Sequence, residues 1–260
     1  MERRADMADI VIVASAYGTE AIRRDGHRAY VGRAAEAGAA GFEVRRELFA
    51  ADEDCAPAAL AALGMAIAAA GLWAVYSTPA TLYREDGALD REALALSLRE
   101  AEALGAHFLK FQLGGFAGTT HAAEIAAVAQ GSRARILVEN GQLAMGGTLA
   151  QFTALFAALV EEGAAGTLGM TFDIGNWLWP GELPLAAARA LAPHVEYIHC
   201  KAVTGEGARR FAVAPQAADP LCLPVLATLP REVPRGVEFP FDPADLAADA
   251  RRRVAWLETA

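Results

Sequence analysis

The sequence predicts a single (β/α)8 barrel over residues 1–260. Eight short β-branched or aromatic runs alternate with longer Ala/Leu-rich stretches of helical period. The runs end at 15, 45, 77, 112, 140, 174, 201 and 239, so successive ends lie 27–38 residues apart. Each interval holds one helix and two loops, as a βαβ crossover requires. The length of 260 residues matches the ~250 typical of such barrels. The rival is an open doubly wound sheet, which usually carries a Gly-rich phosphate loop after its first strand. Here that strand runs into ASAYGTEAIRR, with neither GxGxxG nor GxxxxGK[ST].

In order, the predicted strands are IVIVAS (10–15), GFEVR (41–45), LWAVYS (72–77), HFLKFQ (107–112), RILVEN (135–140), GMTFDI (169–174), VEYIHCK (195–201) and GVEF (236–239). HFLKF, RILV and GMTF are apolar on both faces, as strands buried in a parallel sheet must be. Between strands three and four, Asp90 is placed to cap a helix that Gly105 ends. A second helix begins near Thr148 and stops at Gly163. A last one runs from Asp242-Pro243 to about Thr259, with Pro243 in its first turn. Residues 204–235 are the least regular. They read as a long loop holding Gly205, Gly207, Arg209 and Arg210, then a short helix near 219–229.

Composition narrows the function. Apolar residues make up 54% and charged residues 21%, so the chain can bury a large core and disorder is excluded. The formal net charge of −9 argues against a broad phosphate-backbone footprint and so against a nucleic-acid partner. Cys55, Cys200 and Cys222 have no CxxC spacing, which suggests neither a disulfide framework nor a thiolate zinc site. The opening MERRADMADIVIVASAYG has basic residues and an apolar run. That run is short and flanked by Asp6 and Asp9, so it reads as a buried strand and not a secretory signal. No segment has the length of a membrane span. A cytoplasmic protein with no membrane partner is the expectation.

Active sites of such barrels lie at the C-terminal ends of the strands. Strand five ends with Glu139, strand six with Asp173, strand seven with His199 and strand eight with Glu238. Three carboxylates and an imidazole sharing one mouth repel or shift their pKa values unless a counter-charge joins them. One divalent cation resolves this, and an O3N donor set suits Mn²⁺, Mg²⁺, Co²⁺ or Zn²⁺.

The segments VEN (138–140), MTFDIGNW (170–177), YIHCK (197–201) and VEFP (237–240) resemble the xylose-isomerase-like TIM-barrel superfamily of sugar isomerases and epimerases, which includes endonuclease IV-type enzymes. With ELF (47–49), LYREDG (82–87) and LVENGQ through GG (137–147), they more narrowly resemble the epimerases of bacterial 2-ketogluconate utilisation. The resemblance implies metal ligands Glu139, Asp173, His199 and Glu238. Glu139 and Glu238 then double as acid/base groups on opposite faces of a sugar or sugar-acid substrate. The implied activity is isomerisation or epimerisation by proton transfer through a metal-bound enediolate. One position departs from the pattern. Many relatives carry His three residues after the strand-six Asp, and here Asn176 stands there. Asn is the weaker metal ligand, which counts against a multinuclear zinc site and abasic-site endonuclease chemistry.

Other residues surround the expected mouth. Lys201 shares a face with His199 and is assigned to a substrate oxygen, carboxylate or phosphate. Lys110 is costly to bury in its apolar run unless paired, so it meets substrate or a barrel-interior partner. Arg45 or Glu47 is placed to touch substrate, with a plain Glu43–Arg pair as the alternative. Asn176 can hydrogen-bond a hydroxyl, and Trp177 can stack on a sugar ring. His107 is expected at the opposite barrel end, and His27, His121 and His194 are assigned no role. Dehydration of a keto-polyol or hydroxy-acid uses the same proton abstraction and is the first alternative. A non-catalytic sugar-binding barrel is another. Related barrels often pair, so a homo-oligomer stays open.

Overall fold

The structure is a computed structural model describing residues 8–260. The reading of Met1 to Met7 lies outside the described residues. Eight parallel strands close the barrel: β1 (Ile10–Val13), β2 (Gly41–Arg45), β3 (Trp73–Tyr83), β4 (Phe108–Gly114), β5 (Arg135–Glu139), β6 (Gly169–Asp173), β7 (Val195–Cys200) and β10 (Arg235–Val237). β10 pairs with both β7 and β1, and that closes the ring. The helices are α1 (Thr19–Asp25), α2 (Arg28–Glu36), α3 (Pro57–Ala69), α4 (Arg91–Leu104), α5 (Ala122–Val128), α6 (Leu149–Glu161), α7 (Pro184–Leu191), α8 (Cys222–Leu226) and α9 (Leu246–Thr259). Among the described residues no helix is long and apolar enough to cross a membrane.

The predicted caps form. The Asp90 side chain accepts the Ala93 N–H, and Gly105 ends α4 at φ 73°. Thr148 accepts the Gln151 N–H at the start of α6. Three expectations need correction. The last helix starts at Leu246 with Asp245 as its cap, leaving Pro243 outside it; Asp242 instead accepts the Ala244 N–H in a local turn. The irregular stretch after β7 contains an antiparallel hairpin of β8 (Ala202–Thr204) and β9 (Phe211–Val213). And β3 runs on to Tyr83 past a register shift between Ser77 and Thr81, pairing with β4 as far as Gly114.

Strand alternation sorts the core into two compartments. Outward residues such as Phe42, Tyr76, Phe111, Val138, Phe172 and Cys200 join the helices in one large cluster. Inward residues Val11, Val75, Leu137 and Tyr197 form a small apolar cluster, with Trp73 and Phe108 against it. Above it the same inward parity carries Glu43, Lys110, Glu139, Asp173 and His199, all buried. Gly236 makes room for this layer: a Cβ there would lie 2.5 Å from the Tyr197 hydroxyl and 2.9 Å from His199 Cδ2.

His27, 2% exposed, makes a testable contribution to stability. Burial pushes its imidazole down to about 4 from 6.5. The unfolded chain therefore binds a proton first as pH falls. His27 stabilises the fold fully above pH 6.5, and this is lost progressively towards pH 4. Between pH 7 and 5 the loss is roughly 2 kcal/mol. Asp173, raised to about 7, acts in the opposite sense over the same range, so the His27 share is read from the difference in urea-unfolding stability between wild type and His27→Gln, which should change by that amount from pH 7 to pH 5. Equal pH slopes for both proteins would refute the assignment.

Candidate metal centre

Register sets the four expected ligands side by side. Asp173 pairs with His199 across β6 and β7, and Glu139 stands beside Thr171 across β5 and β6. Glu238 follows β10, its N–H donating to the Cys200 carbonyl at 3.1 Å. One donor atom from each of Glu139, Asp173, His199 and Glu238 lies within 4.8 Å of all the others. His199 Nδ1 is 2.8 Å from Glu139 Oε1, 3.2 Å from Glu238 Oε2 and 3.9 Å from Asp173 Oδ2.

A cage of basic groups holds these carboxylates. The Lys110 ammonium donates to Glu139 Oε2 at 2.6 Å and lies 3.8 Å from Glu43 Oε1. Gln112, the register partner of Glu139, donates to the same Oε2 at 2.6 Å. Lys201 Nζ lies 2.6 Å from Asp173 Oδ2 and 2.7 Å from Glu238 Oε2. Arg45 donates to Glu238 Oε1 at 2.6 Å and to Glu47 Oε1 at 2.7 Å. Both lysines are thus spent on the carboxylate cluster, and Arg45 links Glu47 to Glu238 at the mouth.

Charge follows from this geometry. Burial alone would raise the Glu139 carboxyl, but the Lys110 ammonium and the His199 ring hold it well below the usual range. Glu238 is likewise held low by Lys201 and His199 against its desolvation. Asp173 goes the other way: burial pushes it up to about 7, outweighing the Lys201 ammonium. Burial disfavours the His199 imidazolium, yet Glu43 and Glu238 raise its pKa well above the ordinary value.

The donor set fits a cation. His199 Nδ1 and Glu139 Oε1 are buried and have no aligned hydrogen-bond partner, and Asp173 Oδ2 is met by the Lys201 ammonium. His199 Nδ1 and Glu139 Oε1 approach to 2.8 Å without hydrogen-bond alignment. Buried polar atoms are normally satisfied. Two unmatched donors converging beside the Asp173 and Glu238 oxygens mark a place for a positive centre that each can ligate.

Glu43 is the residue that sequence reasoning undervalued. Its Oε2 lies 2.7 Å from His199 Nε2 and accepts the Tyr197 hydroxyl at 2.9 Å. A carboxylate at Nε2 directs the ring so that Nδ1 faces the other three ligands, as outer partners of metal-bound histidines do. The available signal was parity: Glu43 alternates with Arg45 on one strand. Asn140 was also missed in this role. It exchanges hydrogen bonds with the Asp173 backbone, accepting from N at 2.9 Å and donating to O at 3.0 Å.

Two expected substrate contacts are engaged within the protein. Trp177 is fully buried and packs on Phe152 and Phe172, so it offers no face to a ring at the mouth. The chain leaves the extended conformation at Gly175 and turns into a 3-10 segment over Asn176–Leu178, which ends strand alternation. Asn176 is 5% exposed, and its amide ties two loops together. It donates to the Asn140 carbonyl at 2.8 Å and accepts from Gln142 at 3.1 Å. His107 stacks on Trp73 with centroids 5.4 Å apart, at the end of the barrel away from the cluster, as expected.

No protein-family profile matches the chain, and no curated protein matches it by sequence. Solved structures do match. D-psicose 3-epimerase from Clostridium cellulolyticum H10, crystallised with D-tagatose, aligns with TM-score 0.70 and 11% identity over 96% of this chain and 98% of that one. A xylose isomerase domain protein from Alicyclobacillus acidocaldarius aligns with TM-score 0.65 and 18% identity over 97% and 98%. The probable 3-DHS dehydratase of petrobactin synthesis from Bacillus anthracis aligns with TM-score 0.58 and 14% identity over 96% and 98%. At 11–18% identity the likeness is one of architecture: the chain folds as a xylose-isomerase-like TIM barrel.

Proposed function

We propose that this protein is a divalent-metal-dependent isomerase or epimerase of a keto-sugar, sugar acid or sugar phosphate, acting by proton transfer through an enediolate. The convergence of donor atoms from Glu139, Asp173, His199 and Glu238 within 4.8 Å carries the reading. These four residues would hold Mn²⁺, Mg²⁺, Co²⁺ or Zn²⁺. Such an ion, when bound, supplies Lewis acidity to a carbonyl oxygen and so acidifies the neighbouring C–H.

The remaining work falls to side chains. Glu139 on β5 and Glu238 after β10 are separated by β6 and β7, so they can address opposite faces of a substrate. Both are held in the ionised form, ready to accept a proton. One takes the carbon-bound proton. Delivered by the same carboxylate to the neighbouring carbon, it gives isomerisation; epimerisation instead needs the opposite carboxylate, loaded with a proton from solvent, to protonate the other face. Lys110 and Gln112 fix Glu139; Lys201 and Arg45 fix Glu238. Arg45 and Glu47 are the assigned substrate contacts. The D-psicose 3-epimerase and the xylose isomerase domain protein of this fold support the sugar reading by their names.

Dehydration is the second reading, favoured by the dehydratase of the same fold. A panel of keto-sugars and sugar acids in D₂O with Mn²⁺ or Mg²⁺ separates the two. The expected result is a product isomeric with the substrate that carries deuterium beside the carbonyl. A lighter product gives dehydration instead, and binding with no exchange anywhere in the panel would end the catalytic reading.

Glu43→Gln is expected to weaken Mn²⁺ binding by about 10–100-fold, because His199 loses the partner that aims Nδ1. Calorimetric titration checks this. Unchanged affinity would mean that packing alone orients the ring.

A further inference from the structure

His27 lies between α1 and α2, 2% exposed, with its ring 4.5 Å from that of Phe49. Its Nε2 accepts the backbone N–H of Arg45 at 3.2 Å. A backbone N–H only donates, so Nε2 carries no proton and the ring proton sits on Nδ1. Nδ1 has no hydrogen-bond partner. A buried donor without an acceptor is costly and marks a place where an acceptor belongs.

His27 lines a cavity of about 460 Å³, within the ~300–1,000 Å³ of small-molecule sites. Leu48, Phe49, Ala59 and Leu63 give it an apolar floor, and Arg23, Arg24 and Arg28 line it as well. Arg23 and Arg24 are paired with Glu20 and Asp25. Arg28 is exposed and has no ion-pair partner among the described residues. Two acids also line the cavity, and both are engaged. Asp25 holds Arg24 and Tyr30; Asp54 accepts the Ala51 N–H. The run RRDGHR (23–28) thus brings an unspent guanidinium and an orphan N–H donor to one apolar hollow, and none of its lining residues belongs to the candidate metal centre.

We propose that this cavity binds a small organic anion, a carboxylate or phosphate on an apolar body. The head group is read by Arg28 and the His27 N–H, and the body rests on Phe49 and Leu63. The same ring that reads the head group holds the Arg45 backbone, whose guanidinium holds Glu238. Occupancy is therefore visible at the Arg45 amide.

NMR of the full chain can follow the Arg45 amide and the His27 Nδ1–H during addition of phenyl phosphate, benzoate, inorganic phosphate or benzyl alcohol. Saturable shifts of both signals are expected with at least one of the two aromatic anions, and which one responds identifies the head group. Inorganic phosphate should bind at least about tenfold more weakly, and benzyl alcohol should leave both signals unmoved. Arg28→Glu and Ala59→Trp change exposed positions on the cavity wall; each should weaken binding by about tenfold or more. The proposal is overturned by no saturable shift with either aromatic anion. It is equally overturned by an equal response to inorganic phosphate or benzyl alcohol, or by unchanged affinity in either variant.

Discussion

Glu139→Gln and Glu238→Gln are each expected to reduce turnover by about 10³-fold, and each should also lower the melting temperature, because it takes a carboxylate out of a buried ion pair. Removing a positioned acid or base costs about 10²–10⁴-fold, and Gln keeps the shape and one oxygen donor of the side chain. Both residues sit in the charged layer, so a fold defect must be separated from a chemical one. Thermal melting and Mn²⁺ titration of each variant do that. The two variants also divide the chemistry. If one carboxylate serves each face, each variant still washes deuterium into the substrate epimer whose proton faces the surviving carboxylate, while neither converts one epimer to the other. Turnover within about tenfold of wild type in both variants would remove these residues from the reaction.

Lys110→Met is expected to destabilise the protein by about 3–5 kcal/mol, because it leaves Glu139 and Glu43 buried without their shared cation. At this chain length that corresponds to a fall in melting temperature on the order of 10 °C. Lys110 is 1% exposed, so solvent does not screen the loss. Pairing the change with Glu43→Gln removes one stranded charge and should recover part of the stability. Urea unfolding of both proteins gives the comparison. A change below about 1 kcal/mol in the single variant would show the ion pair to be dispensable.

All eight barrel strands and the four convergent donors were legible from local pattern. An apolar run fixes a buried strand, its polar end fixes a residue at the mouth, and alternation fixes which neighbours share a face. The same rule placed Lys201 with His199, and it accounts for Cys200 lying in the helix layer. It failed where the backbone stops being extended. Trp177 has inward parity with Asp173, yet the turn at Gly175 carries it into the outer core. Pro243 suits a first helical turn, but the chain caps with Asp245 instead.

By itself, then, the sequence determined the strand order, the inward and outward faces, and which side chains reach the barrel mouth, since all of these depend on spacing along the chain. Only the tertiary structure decided that Glu43 aims His199, that Lys110 and Lys201 are consumed by the carboxylates, and that His27 holds Arg45. Those pairings join residues far apart in the chain. They follow from closing the ring, which sets distances no local periodicity encodes.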